Sequence, residues 1–324
     1  MKSDTGLRAE NLRDEVAALR KEKGAVILAH TYQPAEVQDC ADYVGDSYGL
    51  SQEARRARAE RIVFCGVRFM AETAALLNPA SAVILAEPRA GCPMADMIAA
   101  PQLRRLKTRY PDHLVVCYVN STAEIKALSD VCVTSANAVE IVRRLPPERG
   151  ILFVPDRHLG DWIREQTGRD MVLWNGLCPT HLRIRPDMIR AAREAHPGAE
   201  VLIHPEAARE CRALADAVLS TGGMLRRAAG SGAGEFIIAT ETGILHTLRK
   251  HNPGKRFYPV SEEVVCPNMK RGSLLSVRRA LDGTGGERIT VPPEVALGAL
   301  RALERMLELG REETIAPAGG KPLV

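Results

Sequence analysis

The sequence lacks the features that mark secreted, membrane-spanning and nucleic-acid-binding proteins. It has no run of about 18 apolar residues, and its first residues, MKSDTGLRAENLRDEV, lack the apolar segment of a signal peptide. Its 44 basic and 40 acidic side chains are scattered along 324 residues, so no basic stripe indicates a nucleic acid as partner. We therefore expect a cytoplasmic globular protein that acts on small molecules, anionic ones included.

Close CxxC pairs are also missing among the eight cysteines, as is a Gx4GK[ST] phosphate-binding motif. Unpaired thiols in a reducing compartment bind metal, act in catalysis or pack as small hydrophobes. Chance places proline after about half of one of these cysteines, yet it follows Cys92, Cys178 and Cys266, which are spaced 86 and 88 residues apart. We expect these three to bind a cofactor and the other five to serve packing.

The chain repeats itself three times, which is the first pattern to seek in a sequence of this length. Similar apolar runs occur as AVILAHTY at 25 to 32, LVVCYVN at 114 to 120 and EVLIHPE at 200 to 206, and each predicts a buried strand. Offsets of 88 and 86 residues superimpose four sets of polar residues: His30, Tyr118 and His204; Tyr32, Asn120 and Glu206; Asp42, Asp130 and Asp216; Ser47, Ser135 and Thr221.

Each repeat of about 87 residues shows the pattern strand, helix, strand, helix, strand. This pattern predicts an α/β fold of three pseudo-threefold-related αβα (Rossmann-like) repeats, each a small parallel sheet with flanking helices, around a central cluster and active site. The predicted units are residues 24–112, 113–199 and 200–290, with an N-terminal helix over 7–23 and a C-terminal helix over 293–310.

Ligands of parallel α/β sheets bind beyond the carboxyl ends of the strands, so the polar residues that follow each first strand should share one cavity. An alternative is that they match only as core residues retained after triplication, although such side chains are poor core residues without partners. The predicted lining comprises His30, Tyr32, Ser47, Tyr118, Asn120, Ser135, His204, Glu206 and Thr221.

The three Cys-Pro thiols suit two kinds of metal site. Zinc could bind them with His181, which lies in the segment CPTH. Zinc thiolate sites usually use close spacings such as CxxC, however, whereas a [4Fe-4S] cluster is wide enough to join three units, and Cys-Pro is a frequent context for its ligands. With only three cysteine ligands, one iron stays open and can act as a Lewis acid toward a substrate oxygen.

From residue 24 to about 280 the chain resembles the quinolinate synthase family. The matching segments are HTYQ at 30, GDSYGLS at 45, CGVRFMAETA at 65, AGCPMAD at 90, YVNS at 118, TSANA at 134, VPDRHLG at 154, WNGLCPTH at 174, HPE at 204, ST at 220, TETG at 240 and CPNMK at 266. The resemblance implies condensation of iminoaspartate with dihydroxyacetone phosphate to quinolinate, phosphate and water, in the synthesis of NAD. It also implies a [4Fe-4S] cluster held by Cys92, Cys178 and Cys266, and functional coupling to an enzyme that produces iminoaspartate.

By the same resemblance the substrate contacts fall on the repeat positions. Ser47, Ser135 and Thr221 suit carboxylate or phosphate, while Tyr118 and Asn120 suit substrate positioning. His30 and His204 suit carboxylate binding or proton transfer, and Tyr32 and Glu206 suit acid-base catalysis. Thr240, Met70, His181 and Lys270 also lie in the motifs, but packing and helix capping explain them nearly as well.

The sequence departs from the family pattern at Ala207, where a further cysteine is common, and this argues against a regulatory disulfide. Two rival functions remain open at this level. One is a zinc-dependent hydrolase that uses Cys92, Cys178, Cys266 and His181. The other is a non-catalytic redox sensor that uses an iron-sulfur cluster as a switch, although a sensor would not need a polar cavity.

Overall fold

A computed structural model describes the backbone of residues 4–310 and the side chains of residues 11–310. Within this range the strands form three separate sheets. In chain order they are β1 Ala25–His30, β2 Tyr43–Gly45, β3 Arg61–Cys65, β4 Ala82–Leu85, β5 Leu114–Tyr118, β6 Val131–Val133, β7 Ile151–Val154, β8 Met171–Leu173, β9 Glu200–Ile203, β10 Ala217–Val218, β11 Glu235–Ala239, β12 Arg256–Pro259 and β13 Glu287–Arg288.

The three sheets share one strand order. The second runs β6-β5-β7-β8 and the third runs β10-β9-β11-β12, with all neighbouring strands parallel. The first runs β2-β1-β3-β4 in the same way and gains β13, which pairs antiparallel with β4. The predicted α/β class, with three small parallel sheets flanked by helices, is confirmed.

The sequence pattern does not predict four of the strands. Three of them, β2, β6 and β10, add one short strand to the edge of each sheet, and β13 extends the first sheet. Each is only two or three residues long. A segment of that length cannot display the alternation of apolar and polar residues that identifies a strand.

The aspartate of each repeat stabilises the first strand of its sheet. Its carboxylate accepts a hydrogen bond from a backbone N–H fifteen residues earlier, near the start of that strand. The pairs are Asp42 with Ile27 at 2.8 Å, Asp130 with Val115 at 2.7 Å and Asp216 with Val201 at 2.7 Å. Since an unpaired strand N–H is costly to bury, this contact explains why an acidic residue recurs at the same register.

The helices flank the sheets and join successive strands. In chain order they are α1 Asp4–Glu22, α2 Ala35–Cys40, α3 Ser47–Arg56, α4 Arg68–Leu77, α5 Ala100–Arg109, α6 Ala123–Ala127, α7 Ala138–Arg144, α8 Arg157–Thr167, α9 Pro186–Ala195, α10 Arg209–Arg212, α11 Thr221–Gly230, α12 Ile244–His251, α13 Leu274–Asp282 and α14 Pro293–Leu309. The segments predicted as terminal helices are covered by α1 and α14. Among residues 4–310, no helix is both long enough and apolar enough to cross a membrane.

Each helix that follows a Cys-Pro segment packs on elements of the next unit. Helix α5 contacts α6, α9 contacts β11, and α13 contacts α1, α2 and β3. Side chains bond backbone carbonyl oxygens across these contacts: Lys107 to Leu128 at 2.7 Å, Arg193 to Leu214 at 3.0 Å and Arg61 to Leu281 at 2.6 Å. The helix after each cysteine therefore packs against two units. The predicted unit boundaries after residues 112, 199 and 290 stay predictions.

Candidate active site

A cavity of about 140 Å³ lies at the carboxyl ends of the first strands of all three sheets. His30 and Tyr118 are the last residues of β1 and β5, and His204 directly follows β9. The cavity is lined by every residue predicted for it, namely His30, Tyr32, Ser47, Tyr118, Asn120, Ser135, His204, Glu206 and Thr221, together with Cys92, Cys178 and Cys266. The roles assigned to these residues stay predictions.

Two histidines face this cavity as neutral rings. Burial lowers the pKa of His30 to about 3, and Lys270 adds to the effect. Burial likewise lowers the pKa of His204 to about 3. The backbone N–H of Tyr32 donates to His30 Nδ1 at 3.1 Å, and that of Glu206 donates to His204 Nδ1 at 3.4 Å. Each ring therefore carries its proton on Nε2, where it can donate to a ligand or, for His204, to Ser135 Oγ at 3.2 Å.

Glu206 is a buried carboxylate with two short hydrogen bonds. The hydroxyl of Tyr118 donates to its Oε1 at 2.6 Å, and Nδ1 of His181 lies 2.7 Å from its Oε2. Burial would raise the pKa of Glu206, but His181, His204 and the two hydrogen bonds hold it below its usual range. The group is thus a carboxylate at neutral pH, ready to stabilise a positive charge on the His181 ring.

From His181 a chain of hydrogen bonds continues to the other side of the cavity. Nε2 of His181 lies 2.8 Å from Thr240 Oγ1, which lies 2.6 Å from the hydroxyl of Tyr32. The Tyr32 hydroxyl also contacts Thr221 Oγ1 at 2.8 Å. Burial raises the pKa of Tyr32 well above its usual value, so its proton leaves only toward a base. Glu206, His181, Thr240 and Tyr32 therefore form one continuous buried chain of hydrogen bonds.

The three repeat hydroxyls lie at or just before helix starts. Ser47 and Thr221 are the first residues of α3 and α11, whose N-caps are Asp46 and Ser220. Ser135 lies in the turn three residues before α7. The helix of the second unit therefore begins three residues later, relative to the repeat hydroxyl, than the helices of the other two units. Helix N-termini carry free N–H groups and a partial positive charge, which favours bound carboxylate or phosphate groups.

Three loops bring Cys92, Cys178 and Cys266 to the cavity as free, partly buried thiols. Burial raises the pKa of Cys92 to about 12, to which Glu206 and Cys266 also contribute. Burial and Glu206 raise the pKa of Cys178, and Cys92 contributes to this shift. Since the thiols influence one another, three thiolates here would repel without a cation, and the donor set suits a positively charged metal centre.

Two further observations bear on what this site could hold. Oδ1 of Asn120 is buried without a hydrogen-bond partner among the described residues, which is typical of an atom that contacts a ligand. The donor atoms of Cys178, His181 and Glu206 lie within 4.8 Å of one another. This group could hold a metal ion, although both ring nitrogens of His181 already contact protein atoms.

The sequence assigns no catalytic role to His181 or Thr240, and His181 is predicted only as the fourth ligand of the alternative zinc site. The structure places both residues in the buried hydrogen-bond chain. A signal was available for Thr240, because it directly follows β11, at the carboxyl end of a parallel strand. His181 follows Cys178 by three residues, and nothing in the local pattern indicates that its ring turns toward Glu206.

Met70 and Lys270 also lie at the site. Met70 lines the cavity as a buried side chain. Lys270 contacts both carboxylate oxygens of Glu241, at 2.9 and 3.1 Å, and its Nζ donates to the carbonyl oxygen of Tyr32. Lys270 therefore links the third unit to the Tyr32 segment of the first.

The sequence of this chain is similar to those of known proteins. The model of the family "Quinolinate synthetase A protein" matches residues 14–308. A quinolinate synthase of Thermus thermophilus is 53% identical over 308 residues, covering 94% of this chain and 99% of the relative. A quinolinate synthase of Dehalococcoides mccartyi is 50% identical over 300 residues, covering 93% and 99%. One of Methanoregula boonei is 50% identical over 298 residues, covering 92% and 98%. The chain therefore belongs to the quinolinate synthase family of enzymes.

Proposed function

We propose that this enzyme condenses iminoaspartate with dihydroxyacetone phosphate to form quinolinate, phosphate and water, in the synthesis of NAD. The observation that carries the proposal is that three Cys-Pro loops and nine symmetry-related polar residues line one cavity. The named activity of the relatives supports it. A cytoplasmic location and coupling to an enzyme that produces iminoaspartate stay predictions of the family resemblance.

We propose that Cys92, Cys178 and Cys266 hold a [4Fe-4S] cluster. The donor set fits, because cysteine thiols are the ligands that such clusters use, and three partly buried thiols at symmetric loop positions line one cavity. Held by these three residues, such a cluster would keep one iron without a protein ligand and would supply Lewis-acid chemistry toward a substrate oxygen.

The substrates carry two carboxylates and a phosphate, and the cavity offers matching donors. Ser47 and Thr221 combine a hydroxyl with the N-terminus of α3 or α11, so each can hold one anionic group. His30 and His204 donate from Nε2 as neutral rings, so they bind a carboxylate without the pH dependence of a charged histidine. Ser135 contacts His204 and would share that carboxylate.

In this proposal the buried chain of hydrogen bonds transfers protons. In the assignment that satisfies every acceptor, Tyr32 donates to Thr240, Thr240 donates to His181 Nε2, and His181 Nδ1 donates to Glu206. When the Tyr32 phenol gives up its proton along this path, one proton arrives on the His181 ring. The adjacent carboxylate of Glu206 stabilises the resulting imidazolium. The Tyr32 oxygen is then a base toward a substrate C–H or O–H.

Tyr118 and Asn120 position the substrate. Burial and the neighbouring Glu206 raise the pKa of Tyr118, so this phenol remains a donor. Asn120 presents an unpaired Oδ1 that can accept from a substrate N–H or hydroxyl. Both residues belong to the second unit, and Tyr118 contacts the proton path directly through its hydrogen bond to Glu206.

A second candidate is a zinc-dependent hydrolase, and the mutual proximity of Cys178, His181 and Glu206 is the observation that favours it. Against it, a zinc ion bound there would displace hydrogen bonds that already satisfy His181 and Glu206. That group also does not include Cys92 and Cys266, which the zinc site predicted from the sequence uses as ligands.

A turnover assay tests the proposed function. The protein is purified without oxygen and supplied with dihydroxyacetone phosphate and iminoaspartate generated in place, and quinolinate is quantified. We expect quinolinate and phosphate in equal amounts, and none when either substrate is omitted. Protein that contains its full complement of iron and sulfide yet forms no quinolinate would contradict the proposal.

A further inference from the structure

The three Cys-Pro loops are attached to the sheets by an equivalent backbone hydrogen bond. In each unit the third residue after one strand, β3, β7 or β11, donates its N–H to the loop that carries the cysteine. The acceptor is the carbonyl oxygen two residues before the cysteine. The pairs are Arg68 with Ala90 at 2.9 Å, Arg157 with Gly176 at 2.9 Å and Thr242 with Val264 at 3.1 Å. This contact fixes the approach of each loop but not the cysteine itself.

In the second unit a carboxylate adds a direct contact to the cysteine. Asp156 lies two residues past β7 and is completely buried. Its Oδ2 accepts the N–H of Cys178 at 3.1 Å, and its Oδ1 accepts the N–H of Leu159 at 2.7 Å. One side chain thus ties the start of α8 to the thiol-bearing residue. Gly176 allows the close approach, since a Cβ there would lie 2.4 Å from the carbonyl oxygen of Pro155.

The third unit repeats this arrangement with a longer acid. Glu241 lies two residues past β11 and is also completely buried. Its Oε1 accepts the N–H of Cys266 at 3.1 Å, and its Oε2 accepts the N–H of Gly243 at 2.7 Å. Lys270 supplies the countercharge at 2.9 Å from Oε1. Two different acids at equivalent positions therefore both accept the N–H of the cysteine, and each also accepts a backbone N–H two or three residues further along its own segment.

The first unit has Val67 at this position, so Cys92 gains no such contact from it. Burying a carboxylate costs free energy unless hydrogen bonds compensate it. Two completely buried carboxylates therefore indicate that the hydrogen bonds they accept have a role in this protein. Both bonds end on the amide of a residue that the proposed function makes a cluster ligand. Partners of metal ligands commonly fix ligand orientation in this way.

We infer that Asp156 and Glu241 are positioning residues that hold Cys178 and Cys266 for cluster binding, while Cys92 is held by its loop alone. The inference rests on the proposed function, because it takes the three thiols as cluster ligands. It predicts an asymmetric attachment of the cluster, firm on the second and third units and weaker on the first.

The test uses Asp156→Asn and Glu241→Gln in the anaerobically purified enzyme. An amide accepts only one of the two N–H groups that the carboxylate accepts, so one of the two contacts is lost. The rate at which a chelator removes iron is measured for each variant. Asp130→Asn is the matched control, since Asp130 also accepts a backbone N–H, that of Val115 near the start of β5, and does not line the cavity that the thiols reach.

We expect iron loss to accelerate about tenfold or more in Asp156→Asn and Glu241→Gln, and to stay within about threefold of wild type in Asp130→Asn. Amide hydrogen exchange gives a second readout that does not need the cluster. Exchange around Cys178 should rise in Asp156→Asn while that around Cys266 is unchanged, and the reverse should hold in Glu241→Gln.

Wild-type rates of iron loss and unchanged exchange in both variants would overturn the inference while leaving the proposed function intact. Equal acceleration in Asp130→Asn would also overturn it, because general destabilisation would then explain the effect. Wild-type enzyme without iron and sulfide would instead refute the proposed cluster, and the inference about cluster binding would fail with it.

Discussion

At the start of each first strand the three units carry the same residue in the same contact, whereas at the other end of that strand they carry different ones. Asp42, Asp130 and Asp216 each accept a strand N–H. The equivalent positions beyond the strand hold Tyr32, Asn120 and Glu206, and all three line the cavity. At these two positions, the residue that stabilises the sheet has stayed the same, and the residue two places beyond the strand, which lines the cavity, has diverged.

This difference has a chemical reason. A cavity with three identical walls would suit a ligand with threefold symmetry, but the proposed substrates have none. A base, a hydrogen-bond acceptor and a carboxylate at equivalent positions give one substrate orientation instead of three. The three aspartates do not need to differ, because each has only to accept a hydrogen bond from a backbone N–H.

The largest effect should come from the diverged position in the third unit. Glu206→Gln removes the charge that stabilises the His181 ring, so we expect the turnover number to fall about 10²- to 10⁴-fold. Initial rates of quinolinate formation, at equal iron and sulfide content, measure this. Asp216→Asn in the same unit is the control and should keep activity within about threefold. Comparable activity losses in the two variants would end the distinction between the two kinds of position.

The proton path predicts the next largest effect. Tyr32→Phe and Thr240→Val each break one link, and each should lower the turnover number about 10²-fold. The double variant should be hardly worse than the more impaired single variant, because the links act as a unit. Multiplied effects in the double variant would show that Tyr32 and Thr240 act separately. Rates are compared only among variants whose unfolding midpoints agree with that of the wild type.

A smaller effect should follow at the ligand-binding hydroxyls. Ser135→Ala would remove the hydrogen bond proposed to a substrate carboxylate, so we expect KM for one substrate to rise about tenfold, with the turnover number within about threefold of wild type. Steady-state kinetics with each substrate varied in turn would show which one is affected. A change in the turnover number alone would assign Ser135 to the chemical step.

The smallest effect concerns pH. His30 has a pKa of about 3 in the folded protein and 6.5 as its ordinary value, so the unfolded chain binds more protons between these limits. The contribution to stability is full above pH 6.5 and is lost as the pH falls. Between about pH 6 and pH 5, His30→Asn should lose about 1 kcal/mol less unfolding free energy than wild type. Denaturant titrations measure this, and equal losses would mean that His30 is charged when folded.

The sequence alone allowed the α/β class, the position of the longer strands and the convergence of the polar residues to be predicted, because the repeat supplied three aligned copies of each signal. Strands such as β2 and β10 were missed because two or three residues carry no periodicity. The hydrogen bond from His181 to Glu206 joins residues 25 positions apart on two units, and only packing determines it. Asp156 and Glu241 were likewise missed, since each faces a loop and not the end of a first strand.

Metal and sulfide analysis of the anaerobically purified protein tests the central claim most directly. We predict about four iron and four sulfide per chain, lost when Cys92, Cys178 or Cys266 is changed to serine. The same content should persist in Cys211→Ser, which changes a buried packing cysteine. Stoichiometric zinc without sulfide, or a full cluster in any of the three serine variants, would contradict the account.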